Sequence, residues 1–360
     1  MMPMNRLIVL VSLSVLCCSG YGEYRVEDYV KDIDVPWGMT WLPGGDMLVA
    51  NRDGELYRVS GRKIVGTISG VPAGQANGQG GLLDIELHPD HANNGWLYLS
   101  YSSSEGEGSG SNTAIVRAKL QDNSLESLET VYKAEPNSKN NQHYGSRLEF
   151  DNEGHLYFSI GDRGNRAENP QDLTKDGGKI YRIHDDGRIP EDNPFVDKSK
   201  PAIYSWGHRN PQGMAKHPIT GEIWIHEHGP RGGDEVNIVK RGANYGWPIL
   251  SYGINYWGTS FAEGTERDGY EAPIWYWDPS IAPSGMAFVT SDRYPHWQGH
   301  LLVGSLKFDY LVLCKLEGNT IRVADVIFEE IGRVRNVRQG PDGYLYIATE
   351  DDAIKRIVDY

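Results

Sequence analysis

The residues that could do chemistry are spread over short, turn-like segments. His143 lies in Asn141-Gln142-His143-Tyr144-Gly145-Ser146-Arg147, where a neutral imidazole could take a proton from a bound hydroxyl. A loop histidine can equally be a hydrogen-bonded surface residue. Arg209 and Asn210 follow in Gly207-His208-Arg209-Asn210-Pro211-Gln212-Gly213, and a guanidinium there either orients a carbonyl or carboxylate or ties down loop carbonyls. The most unusual stretch is His226-Glu227-His228-Gly229-Pro230-Arg231-Gly232-Gly233-Asp234-Glu235. Its His-x-His spacing puts both imidazoles on one face of a strand and invites zinc, but the Gly-Pro and Gly-Gly-Asp-Glu steps offer the hard oxygens that Ca²⁺ prefers. An ordinary acidic turn is the plain alternative. Lys307, Arg333 and Arg335 are cations late in an acidic chain, and the Arg333-Val334-Arg335 alternation sets two guanidinium groups on one side of a strand. They could hold a small polyanion or be solvated surface charge. Gln79 in Gly78-Gln79-Gly80-Gly81 and Ser280 in Pro279-Ser280-Ile281-Ala282-Pro283 add neutral hydrogen-bonding groups. No Gly-x-Ser-x-Gly elbow, dinucleotide fingerprint or phosphate-cradling loop is present, which leaves serine hydrolase, NAD and ATP chemistry unsupported.

These segments recur because the elements between them recur. The unit is an alternating apolar strand, a turn containing Pro, Asp or Gly, and a second strand ending in small polar or acidic residues. Copies start at Gly38, Gly81, Gly145, Gly213, Gly285 and Val334. The intervals allow four short strands per copy, and no segment of useful length has helical periodicity. The pattern predicts an all-β chain, a six-bladed β-propeller of four-stranded antiparallel sheets, rather than a sandwich, which rarely holds six such units. Loops joining strands on one face then surround the channel, and His143, Arg209 and the 226–235 segment all fall in such loops.

The chain has 360 residues, with 35 Lys and Arg against 49 Asp and Glu for a net charge of −14, so nucleic acid and anionic membranes are poor partners. Ten Trp and 21 Tyr exclude a disordered chain. Arg6, the apolar run Leu7 to Leu16 and the small residues Ser19, Gly20 and Gly22 read as a secretory leader over 1–22, followed by one propeller domain over 23–360. The run is about half of the ~20 residues a spanning helix needs, so no stable membrane insertion is expected and the product is exported, periplasmic or secreted. Removing the leader leaves Cys314 as the sole cysteine and no intrachain disulfide; a lipid on Cys17 or Cys18 is the lesser alternative.

Taken together, Pro36-Trp37-Gly38, Gly78-Gln79-Gly80-Gly81-Leu82-Leu83, His143-Tyr144-Gly145-Ser146-Arg147, Gly161-Asp162-Arg163-Gly164, the segments holding Arg209 and Gly229, Asn244-Tyr245-Gly246-Trp247-Pro248, Ser280-Ile281-Ala282-Pro283-Ser284-Gly285 and Arg333-Val334-Arg335 resemble the quinoprotein soluble aldose sugar dehydrogenases, relatives of soluble glucose dehydrogenase. The resemblance implies a six-bladed propeller using pyrroloquinoline quinone (PQQ) and Ca²⁺ to oxidise the anomeric hydroxyl of aldoses to lactones, with electrons passed to an external acceptor. It implies His143 as general base, Arg209 as a cation touching cofactor and substrate, and the carbonyls of Gly229 and Pro230 on Ca²⁺. It places Gln79, Asn210, His228, Asp234, Ser280, Lys307, Arg333 and Arg335 in the cofactor pocket. His228 stands where the glucose branch has Gln, Trp275 where it has Tyr and Ser280 where it has Thr, which points to the broader aldose branch. No Cys-x-x-Cys-His haem motif is present. Two rivals share the fold: a calcium-dependent lactonase or other hydrolase, and a non-catalytic extracellular binding propeller.

Overall fold

Runs in which every residue is buried, such as Met47–Asn51, Leu156–Ile160, Leu301–Ser305 and Leu345–Thr349, must be strands covered by apolar layers on both faces. The computed structural model describes residues 24–360, and the segment read as a leader, with Cys17 and Cys18, lies outside them. The described chain forms six four-stranded antiparallel sheets arranged as a propeller. Blades 1 to 5 begin with the innermost strands Pro36–Trp41, Leu82–Leu87, Leu148–Phe150, Pro211–Lys216 and Pro283–Phe288, each followed outward by the next three strands in sequence. Six main apolar clusters fill the six gaps between neighbouring blades, so each sheet is held by both its neighbours. Among the described residues no helix is long and apolar enough to cross a membrane.

Blade 6 departs from the simple repeat. The chain after Val334 supplies Val334–Gln339, Leu345–Thr349 and Ala353–Asp359, and the fourth strand is Tyr24–Lys31 from the other end of the described chain. Its register runs from Tyr24 opposite Asp359 to Lys31 opposite Ala353, which pins the first blade to the last and closes the ring. The repeat pattern shows six units but not this closure, because Tyr24–Lys31 lacks the turn and second strand that mark a unit.

Five of the six innermost strands are bulged at one end, the exception being Leu148–Phe150 of blade 3. Pairing with the second strand jumps from Pro36 to Gly38, from Pro211 to Gly213 and from Val334 to Asn336, and similar jumps occur after Leu82 and Pro283. A bulge turns the skipped residue out of the pleat and releases its carbonyl. The skipped residues Trp37, Gln212 and Arg335 aim side chains into a cavity at this face, and their carbonyls converge on one buried guanidinium. Arg147 Nε donates to Gln212 O at 2.7 Å, one terminal nitrogen donates to Arg335 O at 2.9 Å, and the other to Trp37 O at 3.3 Å and Asp84 Oδ1 at 3.2 Å. With Arg147 on blade 3, five blades meet at this side chain. Burial lowers its pKa to about 10, partly opposed by Asp84, so it stays charged at neutral pH.

Close approach of inner strands sets a local requirement at Gly285, whose φ is +66° and where a Cβ would lie 2.5 Å from the Asn336 Cα and Val337 N of blade 6. Gly299 also has positive φ, +80°, but a Cβ there meets nothing within 4 Å. In urea unfolding Gly299→Ala is expected to cost about 1–2 kcal/mol for the backbone conformation alone. Gly285→Ala should cost about 1–3 kcal/mol more, because rigid backbone has to move. Equal losses would contradict this packing.

Candidate active site

In an antiparallel blade the start of the first strand and the end of the second lie at the same face. Gln79, Tyr144, Asn210 and Arg333 precede or open first strands, while Arg52, Asp162, His228 and Glu350 follow second strands, so all gather at one mouth of the channel. There all of them but Asp162 line a cavity of about 250 Å³. Trp37, Leu83 and Tyr144 pack together as its apolar wall. Its charges are three guanidinium groups, Arg52, Arg333 and Arg335, against one carboxylate, Glu350. Glu350 accepts Arg333 Nε at 2.6 Å and Arg335 Nε at 2.8 Å. Burial pushes its pKa up, but Arg335 and Arg333 outweigh burial and hold it below the usual carboxylate range. Arg335 also donates to Gln212 Oε1 at 3.2 Å. The enclosure therefore carries excess positive charge with restrained geometry, a receptor for a flat anion.

His143 and Arg209 stand beside this cavity, 9% and 7% exposed. His143 has a left-handed backbone, φ +58°, uncommon outside glycine and held here from two sides. Its amide donates to Gln79 Oε1 at 2.7 Å, and Nδ1–H donates to Asp162 Oδ1 at 2.6 Å. Asp162 Oδ2 accepts the indole N–H of Trp247 at 2.9 Å. The carboxylate fixes the tautomer and leaves Nε2 as the basic nitrogen. Burial lowers the His143 pKa, the nearby Arg209 lowers it further, and Asp162 opposes both, so the ring is neutral at pH 7. Asp162 is ionised: burial would raise its pKa, but His143 and Arg209 more than offset that.

The Arg209 guanidinium donates from one nitrogen to His228 O at 3.0 Å and Gly229 O at 2.8 Å, and from another to the phenol of Tyr256 at 3.3 Å. Tyr256 and Trp257 beyond it are largely exposed. The two imidazoles of the His-x-His pair do share one side, but each spends Nε2 on a blade 5 carbonyl: His226 on Gly285 O at 3.2 Å and His228 on Pro283 O at 2.7 Å. Burial drives the His226 pKa down to about 3 and that of His228 well below its ordinary value. They are neutral struts between blades 4 and 5, and His228 also lines the cavity.

Of the residues singled out in the sequence, Gln79, Asn210, His228, Arg333 and Arg335 line the cavity. Asp234, Ser280 and Lys307 lie behind it. The fully buried Asp234 accepts Ser280 Oγ at 2.6 Å and the amides of Gly229, Ile281 and Ala282 at 2.7–2.8 Å, stapling the 229 loop to the 280 loop. The exposed Lys307 donates to Ser280 O at 3.0 Å. Asp162, Arg52, Gln212 and Glu350 escaped notice as site residues. The available signal was positional: Arg52, Asp162 and Glu350 closely follow the second strand of their repeat, as His228 does.

A family model describing glucose and sorbosone dehydrogenases matches residues 33–357. Aldose sugar dehydrogenase YliI of Escherichia coli (strain K12) is 40% identical over 356 residues, covering 96% of this chain and 95% of its own. The crystal structure of the soluble aldose sugar dehydrogenase from Escherichia coli in the apo-form superposes with a TM-score of 0.88 at 39% identity, over 94% of this chain and all of the other. The PQQ-bound form of aldose sugar dehydrogenase from Streptomyces coelicolor superposes with a TM-score of 0.77 at 28% identity, over 94% and 99%.

The electrostatics around His143 can be read by following its ring signals in an NMR pH titration. The midpoint is expected below the ordinary 6.5. Asp162→Asn should move it lower, since Asp162 favours the imidazolium, and Arg209→Met should move it higher. A midpoint above 6.5, or shifts of opposite sign, would contradict the arrangement.

Proposed function

Because this chain belongs to the glucose/sorbosone dehydrogenase family, we propose that it is an exported aldose sugar dehydrogenase that oxidises the anomeric hydroxyl of aldoses to lactones, with PQQ and Ca²⁺ as cofactors and an external electron acceptor. The observation that carries this reading is the His143–Asp162 pair beside a cavity with three guanidinium groups and one carboxylate. The residues fit both groups. PQQ is a flat trianion, and the cavity offers Arg52, Arg333 and Arg335 with Gln79 and Asn210 beside the Trp37–Leu83–Tyr144 wall. Gly229 is packed so tightly that a Cβ would meet the carbonyl oxygens of Gly232 and Gly233 at 2.3 Å. Its amide is fixed by Asp234, and its carbonyl faces the site, where it meets the cationic Arg209. Backbone carbonyls such as Gly229 O and that of the adjacent Pro230 would supply the hard oxygen donors that suit Ca²⁺.

When bound, PQQ supplies a two-electron acceptor for the hydride from the sugar, and Ca²⁺ polarises it. The chain's own part is proton transfer and orientation. His143 Nε2 takes the anomeric hydroxyl proton, and Asp162 holds the ring in the required tautomer and stabilises the imidazolium. Arg209 places positive charge where negative charge develops. Arg333 and Arg335, restrained by Glu350, hold the cofactor's carboxylates.

Dye reduction with glucose should require both PQQ and Ca²⁺, and His143→Ala should lower kcat by about 10²–10⁴-fold. Because the pKa of His143 is depressed, activity should persist below pH 6.5 and fall only as the ring becomes protonated at lower pH. A reconstituted protein that neither binds PQQ nor reduces dye with any common aldose would defeat the redox reading and favour lactone hydrolysis or partner binding.

A further inference from the structure

Behind Arg209, Ser205 Oγ meets His208 Nε2 at 2.9 Å and His208 Nδ1 meets Glu227 Oε1 at 2.8 Å. The order is that of a hydrolytic triad, but Ser205 and His208 are wholly buried and Glu227 is 4% exposed, so no substrate carbonyl reaches the hydroxyl. The line leads to the backbone instead. Glu227 Oε2 accepts the Arg209 amide at 2.6 Å, Arg209 O accepts the Asp162 amide at 2.7 Å, and Asp162 Oδ1 accepts Nδ1–H of His143. An unbroken series of hydrogen bonds joins Ser205 to His143.

Glu227 is the anchoring point of this series. It is the last residue of the strand Ile223–Glu227, where every side chain is buried, whereas Arg209 sits in the loop between Ile203–Trp206 and Pro211–Lys216. The carboxylate ties that loop to the rigid strand with one oxygen and is aligned at the other by His208 and by Asn237 Nδ2 at 3.3 Å. We propose that Glu227 is the positioning residue that sets Arg209 and, through the Arg209 carbonyl, Asp162 and His143. The inference rests on the roles given above to Arg209 and His143. It requires reach rather than charge.

Two near-isosteric variants separate those properties. Glu227→Gln loses the charge but keeps the reach: its amide oxygen can accept Arg209 N–H, and its NH₂ can donate to His208 Nδ1 once His208 carries its proton on Nε2 and donates to Ser205 Oγ, and to Asn237 Oδ1, which has no partner, once that amide turns over. Glu227→Asp keeps the charge but withdraws the carboxylate by about 1.5 Å. Two quantities are read: hydrogen exchange at the Arg209 amide, and kcat and KM of the protein reconstituted with PQQ and Ca²⁺, with glucose as substrate. For Glu227→Asp, exchange should be at least about tenfold faster and kcat at least about tenfold lower, with KM within about threefold. Glu227→Gln should stay within about threefold of the unmodified protein in both. Should Glu227→Asp fail to fold, Ser205→Ala removes only the far end of the line and should accelerate Arg209 exchange by about threefold. Unchanged exchange, or faster exchange with unchanged kcat, overturns the proposal. So does a Glu227→Gln loss as deep as that of Glu227→Asp, which would assign the effect to charge. If the unmodified protein oxidises no sugar, the redox reading falls while Arg209 exchange still decides whether Glu227 positions the loop. If His143→Ala is fully active, only the base assignment falls.

Discussion

Three backbone carbonyls, those of Trp37, Gln212 and Arg335, converge on one guanidinium that donates to all three; Trp37 O also accepts Asn336 Nδ2 at 3.0 Å and Arg335 O accepts Ser284 Oγ at 2.7 Å, so Arg147 is the donor they share rather than the sole donor of each. A buried carbonyl left without a donor would cost about 1–3 kcal/mol, and without Arg147 that cost falls first on Gln212 O, which takes the short bond from Nε. The bulges that release the three carbonyls aim Trp37, Gln212 and Arg335 into the cavity. The hidden Arg147 and the cavity lining are therefore two sides of one backbone arrangement. Its charge is compensated by Asp84 and by the Trp37 ring, whose centroid lies 3.9 Å from the guanidinium carbon. Deep burial of an arginine is costly in general; here the side chain reaches an acceptor in each direction that its planar fork points.

Around this hub the site is built from the ends of second strands. Asp162 and Glu227 lie at or just beyond such ends, and their carboxylates clamp respectively the His143 ring and the Arg209 amide. The same logic yields Glu350, which disciplines two arginines that would otherwise repel each other. An acidic chain of net charge −14 thus concentrates guanidinium groups in one enclosed place. A small anion gains most from such a field inside the cavity, where screening by water is weakest.

The propeller was legible in the sequence because short alternating apolar strands and Pro, Asp or Gly turns repeat six times, and these local signals need no knowledge of contacts between blades. The loops bearing His143, Arg209 and Arg333 were legible for the same reason, since they fall between repeats at one face. The closing strand Tyr24–Lys31 was not, because only pairing with Ala353–Asp359 across the whole chain defines it. Asp234, Ser280 and Lys307 are close to the cavity but act through loops, a distinction that residue type cannot express. Arg147 stood in a recognisable segment, yet its role exists only where five blades meet.

The central claim is that Arg147 shapes a cavity it does not line. The most direct measurement is calorimetric titration of PQQ, with Ca²⁺ present, into the unmodified protein and Arg147→Lys. The lysine keeps the charge facing Asp84 but has one nitrogen where the guanidinium has three, so it cannot bridge the carbonyls of Trp37, Gln212 and Arg335 together; Trp37 O and Arg335 O keep Asn336 and Ser284 as donors, while Gln212 O loses the bond from Nε and the link between the bulges is lost. The expected result is a folded variant whose PQQ affinity is at least about tenfold weaker. A folded variant with unchanged affinity would show that the cavity lining is set without Arg147.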